Sequence, residues 1–167
     1  MIQFRKPSKR PLIIAIVMIT LGFAGLGLGI YKSNSSQAEV VHNTPNFAAL
    51  LPKGRTIGQL GGWEKLTAPN GDVFYVFVDT VSGVLVNVSQ QNLPGKFKGD
   101  INNKMIELAR AYNANTKLDV DGTTVYVGTS AQGPQSVLYT KNGVLVLMKS
   151  WSTISDADWI AYIKTLE

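Results

Sequence analysis

The sequence has no cysteine and a single histidine. Without cysteine there are no disulfides, no thiolate metal sites, no cysteine nucleophile and no lipid-modified cysteine anchor. The one imidazole, His42, falls in a stretch that reads as a linker. A tether cannot hold a general base within about 0.5 Å of productive geometry, so a Ser-His-Asp triad has no base. No Ser-x-x-Lys or Gly-x-Ser-x-Gly pattern stands in for it.

An excess of one charge is also missing where it would matter. The net charge of +5 suggests nucleic-acid binding until its position is read. Arg5, Lys6, Lys9, Arg10 and Lys32 supply all five excess cations, and beyond Lys32 there are 11 Lys and Arg against 11 Asp and Glu. A neutral domain carries no electrostatic footprint for a phosphate backbone, so no nucleic-acid partner is expected. The acidic residues Asp72, Asp100, Asp119, Asp121, Asp156 and Asp158 fall at turns and helix starts. Carboxylates cap backbone N–H groups there. No facing pair of the glycosidase kind is apparent. Asp119-x-Asp121-Gly122 looks like half a calcium loop, but Gly128 stands where the closing carboxylate is needed. Gly58-Gln59-Leu60-Gly61-Gly62 precedes a strand, not the helix N-terminus that would hold a phosphate. No cofactor or metal is expected.

What is present begins with an apolar run. Leu12 to Ile30 is 19 residues without a charge and with eleven Leu, Ile, Val or Phe. As a helix it would be about 28 Å long, near the ~30 Å hydrocarbon core of a bilayer. The preceding cations place the N-terminus in the cytoplasm. The expected layout is a basic cytoplasmic tail over 1–11, a transmembrane helix over 12–31, a juxtamembrane linker over 32–52 and an extracytoplasmic domain over 53–167. Ser36-Gln37-Ala38 also fits a signal-peptide cleavage site, though the apolar run is long for one. Gly25 and Gly29 form a GxxxG pair through which two membrane helices could meet as a homodimer.

The domain reads as strands punctuated by turns. Trp63–Leu66, Val73–Val78 and Val84–Ser89 suggest a meander, with Pro69-Asn70-Gly71 and Ser82-Gly83 turning the chain. Asp100 starts a helix whose stripe is Ile101, Met105, Leu108, Ala109 and Tyr112. Asp121-Gly122 and Asn142-Gly143 each sit between two apolar runs, the two-residue hairpin signature. Ser155 with Asp158 caps a last helix, with Trp159, Ile160 and Ile163 on its apolar face. The class is α+β: after the transmembrane helix, an antiparallel sheet of about seven strands with two helices packed on one face. Gly83-Val84-Leu85-Val86 and Gly143-Val144-Leu145-Val146 echo one another, each before a helix, so a duplicated strand–strand–helix unit is one reading.

Two connections are candidate binding loops. One, after the third strand, offers Gln91, Asn92, Lys96, Phe97 and Lys98. The other, from Gly128 to Ser136, is long for a hairpin and offers Thr129, Ser130, Gln132 and Gln135. The strands at Val73–Val78 and Val144–Trp151 are apolar on both faces, so two helices on one face would leave the other for another layer, a protein partner or an apolar ligand.

The stretch Val125-Tyr126-Val127-Gly128, then Ser136 to Val144, then Trp159-Ile160, resembles an uncharacterised bacterial extracytoplasmic domain that follows single transmembrane helices. That domain occurs in some anti-sigma regulators and is distantly similar to lipoprotein-sensing half-barrels. The resemblance covers residues 63–166 and implies sensing or binding outside the membrane, with no catalytic motif to carry over. The expected cytoplasmic tail over 1–11 is too short to hold a sigma-factor-binding domain. The expectation is a single-pass plasma-membrane protein with a non-catalytic outer domain that binds a partner or ligand or serves the envelope structurally. The alternative is an envelope hydrolase using an unrecognised serine or carboxylate, with Ser130 the first residue to probe.

Overall fold

The computed structural model describes residues 43–68, 70–130 and 133–167. The expected tail, the span over 12–31, the Gly25–Gly29 pair and His42 lie outside the described residues. Among those described, no helix is long and apolar enough to cross a membrane.

Seven antiparallel strands form one sheet: β1 (Glu64–Thr67), β2 (Val73–Val81), β3 (Val84–Asn92), β4 (Thr116–Val120), β5 (Thr123–Ser130), β6 (Gly133–Lys141) and β7 (Val144–Ser150), in the order β1-β2-β3-β7-β6-β5-β4. Helix α1 (Ile101–Ala111) follows β3, and α2 (Asp156–Thr165) follows β7. The α+β class with a seven-stranded antiparallel sheet and two helices therefore stands.

Three hairpin turns have a left-handed residue followed by glycine. The φ values are +48° and +82° at Ser82-Gly83, +51° and +80° at Asp121-Gly122, and +52° and +76° at Asn142-Gly143. Such turns match the right-handed twist of the strands they join. At Asp121-Gly122, Asp119 Oδ1 accepts the Gly122 N–H at 3.1 Å, so this carboxylate is turn chemistry.

The two central hairpins repeat one register. Tyr75↔Gln90 and Gln135↔Ser150 stand sixty residues apart, as do Val81↔Val84 and Lys141↔Val144. Where β3 meets β7, Val88 lies opposite Met148, its own counterpart. The echo in the sequence is thus a repeat in the sheet, related by a local two-fold between those residues. The helices break it.

Each helix covers a different face, which corrects the expectation of two helices on one face. Trp159 and Ile163 of α2 are buried against Val88, Val137, Tyr139, Val146 and Met148. Met105 and Ala109 of α1 are buried on the opposite face, with Tyr126, Leu138 and Leu145. The connection from Leu93 to Asp100 carries the chain across to that side, where Phe97 is buried in the same cluster. Ile101, expected within the buried stripe, is exposed. Gly128 permits the crossing. A Cβ there would lie 2.0 Å from the Asn113 carbonyl oxygen and 2.3 Å from Ala114 Cα, so the chain leaving α1 rests on the bare backbone of β5.

The α2 face has a second cover, the segment from Phe47 to Trp63. Leu50 and Leu60 are buried, and Phe47, Ile57 and Trp63 pack against the same core. The segment is fastened to the chain's end by paired backbone bonds between Leu51 and Glu167, both 3.0 Å. The last residues of the expected linker are therefore part of the domain. Nothing in their sequence has a helix or strand period, so only the contacts reveal it.

Candidate functional site

Strands β2 and β3 part at one end. Their ladder ends at Tyr75↔Gln90. Beyond it Val73 and Phe74 pair only with Thr67 and Leu66 of β1, and Gln91 and Asn92 pair only with Leu145 and Val144 of β7. The gap opens into a cleft of about 460 Å³. That lies at the small end of the roughly 300–1,000 Å³ typical of ligand sites. Phe47, Tyr75, Leu93 and Pro94 give it an apolar side, and Asn46, Lys65, Asp72, Gln91 and Asn92 a polar one.

Neighbouring glutamines show which groups are committed. Gln90 is fully buried, accepts the Leu50 N–H at 2.8 Å and donates to the Leu50 carbonyl at 2.7 Å. It closes a two-bond clasp on the N-terminal segment. Gln91 is only 9% exposed and lines the cleft, yet its carboxamide has no hydrogen-bond partner among the described residues. A carboxamide on the wall of a cleft that makes no bond within the described protein has its donors and acceptor available to a ligand. Asp72 is already engaged: its Oδ2 accepts from Asn70 Nδ2 at 2.7 Å, and its N–H donates to Asn70 Oδ1 at 3.0 Å. Lys65 is in no ion pair among the described residues.

The expected loop residues scatter. Gln91 and Asn92 belong to β3 and reach the cleft. Lys96 and Lys98 are exposed, while Phe97 is a core residue and not an offered aromatic. The long loop after Gly128 is not one. Strands β5 and β6 continue to Ser130 and from Gly133 and pair as far as Ser130↔Gly133, with a register shift between Gly128 and Ser130. Thr129 is exposed on β5. The side chain of Ser130 and all of Gln132 lie outside the described residues. Gln135 is a structural clasp: it accepts from the Ile154 N–H at 2.7 Å and Trp159 Nε1 at 3.1 Å, and donates to the Ile154 carbonyl at 3.1 Å.

One buried charge escaped the sequence reading. Asp79 of β2 is 5% exposed and takes Arg55 Nη1 at 2.5 Å, the Tyr162 hydroxyl at 3.1 Å and the Thr80 N–H at 2.7 Å. The signal was available: Tyr75, Phe77, Asp79 and Val81 share one face of an apolar strand. The cluster joins α2, β2 and the N-terminal segment. Burial, then the Asp79 charge, pushes the Tyr162 phenol far above its ordinary value. The Tyr139 phenol is raised by burial alone, and its hydroxyl has no partner.

The face opposite α2 is open near the Ser82-Gly83 turn. Val78, Leu85 and Trp151 are 40%, 53% and 55% exposed, because α1 lies over β5, β6 and β7 only. The apolar second face is thus half covered by the chain's own helix. No group of His, Cys, Asp and Glu among the described residues is arranged to hold a metal ion. The chain matches no protein-family model, no curated protein and no solved structure.

Proposed function

We propose that the chain is a membrane-anchored, extracytoplasmic binding module without catalysis, and that its ligand enters the cleft between β2 and β3. The apolar run over 12–31 and its flanking cations support the anchor and its orientation. The observation that carries the binding role is Gln91, whose carboxamide lines the cleft with no hydrogen-bond partner among the described residues. Among the described residues the cleft's one carboxylate, Asp72, is held by Asn70, and no histidine or second acid lines the cleft. Its amides and its lysine are suited to orienting a ligand.

Among the described residues a hydrolase has one foothold, the cross-strand pair Ser136 and Lys149. Burial lowers the Lys149 amine, as a serine-activating lysine requires. The Ser136 hydroxyl, however, is fully buried and out of a substrate's reach. The binding reading is tested with the full chain in detergent micelles, screened by NMR against small polar amides, acids and sugars. Saturable shifts at Gln91 and Asn92, without conversion of the probe, are expected. Product formation, or shifts only elsewhere, would overturn it.

A further inference from the structure

The geometry points to a short extended peptide with a free carboxylate as the ligand of the cleft. This rests on the binding reading above and names its chemistry. Both walls of the gap are strands with one neighbour each: Val73 and Phe74 belong to β1 on one side, Gln91 and Asn92 to β7 on the other. Their cleft-facing sides have no strand partner. A stretch of extended main chain is the complement to such edges, which give affinity through backbone hydrogen bonds. The carboxamides of Gln91, Asn92 and Asn46 each offer donors and an acceptor, matching the N–H and C=O of a peptide unit.

Charge selects the end of the peptide. Lys65 lines the cleft with no ion pair among the described residues, while the Asp72 carboxylate is occupied by Asn70. A carboxylate ligand meets the Lys65 ammonium, and Asp72, which keeps its charge while accepting from Asn70, repels that carboxylate and so directs it to Lys65. The cleft's volume of about 460 Å³ suits a few residues, not a folded partner. A sugar ring is the less fitting occupant, because sugar sites commonly present an open aromatic face. Here the Tyr75 ring is already engaged edge-to-face by Phe47 at 5.7 Å and by Trp63 at 6.3 Å. The Leu93 and Pro94 side of the cleft is left for an aliphatic side chain.

The test uses the full chain in detergent micelles and three probes: N-acetyl-Ala-Ala, its C-terminal amide, and the N-acetylglucosamine dimer. NMR titration reads affinity at the Gln91 and Asn92 amides, and circular dichroism confirms that each variant is folded. The free acid should bind about tenfold more tightly than the amide, the effect of one charge-assisted hydrogen bond. Lys65→Met should lower the acid to the amide's level, and Gln91→Met should weaken both peptides. Equal binding of acid and amide, or an acid preference that survives Lys65→Met, would overturn the inference. Shifts with the sugar and with neither peptide would overturn it while leaving a binding cleft. Silence with all three probes would overturn it, and silence in the wider screen would overturn the binding reading as well.

Discussion

Gln90 and Gln91 are adjacent in β3, point to opposite faces of the sheet, and differ in one respect: only Gln90 has its hydrogen bonds filled by the protein. The difference separates a residue that holds the fold from one that is left for function. Gln90→Met would orphan the Leu50 N–H and carbonyl, both bonded only through that side chain's clasp. Leaving a buried polar group unpaired costs about 1–3 kcal/mol. A loss of roughly 2–4 kcal/mol in urea unfolding is expected for this variant, against within about 0.5 kcal/mol for Gln91→Met.

Gly128→Ala tests the crossing of α1 to the second face. The added Cβ would meet backbone atoms of Asn113 and Ala114, which cannot rotate away as a side chain could. A cost of about 1–3 kcal/mol is expected, typical of overpacking. Gly58→Ala is the control, since its Cβ would meet only Thr56 Oγ1 at 3.9 Å. Equal stability of the two variants would contradict the placement of α1.

Alkaline pH should unfold the protein through its tyrosines. Tyr112 is pushed up to about 12 by burial, and Tyr139 and Tyr162 are raised further. Their folded values exceed the unfolded ones, so their neutral forms contribute stability that is complete below about pH 10. It is lost as pH rises above that. Tyrosinate absorbance should show these three ionising with the loss of structure and not before it. Tyr139→Phe removes a buried hydroxyl that has no partner. Its stability should equal the parent's or exceed it by up to about 1 kcal/mol, and any clear loss would reveal a bond the structure does not contain.

The open part of the second face should be tolerant. Leu85→Ser changes a residue that is 53% exposed, so unfolding should move by no more than about 0.5 kcal/mol. Met148→Ala, at the centre of the sheet opposite Val88, should cost about 2–5 kcal/mol.

The absence of cysteine makes topology simple to test. Thr129→Cys places one thiol on an exposed position of the domain, and Ser8→Cys places one in the basic tail. A membrane-impermeant maleimide added to intact cells should label the first and spare the second. The reverse pattern would overturn the proposed orientation.

Much of the sheet was legible because its turns have a chemistry. Ser82-Gly83, Asp121-Gly122 and Asn142-Gly143 need left-handed backbone, and each marked a hairpin. The stripe through Met105 and Ala109 showed that α1 has a buried side, but a stripe does not say which face of a sheet receives it. Gly128 read as loop material because glycine favours turns, whereas here it clears room for another segment of backbone. That misreading made Gln135 a loop residue instead of a clasp on Ile154. Of the two candidate loops, the structure brings Gln91 and Asn92 to the cleft and spends Phe97 on the core. The cleft itself had no sequence signal. It arises where two strands stop pairing with each other and pair only outward, and the packing of Phe47 completes it.

The most direct measurement is the map of backbone amide shifts as the full chain is titrated with N-acetyl-Ala-Ala. The account predicts saturable changes clustered at Asn46, Lys65, Asp72, Gln91 and Asn92, with the probe recovered intact. Changes centred instead on Val78, Leu85 and Trp151, or cleavage of the probe, would contradict it.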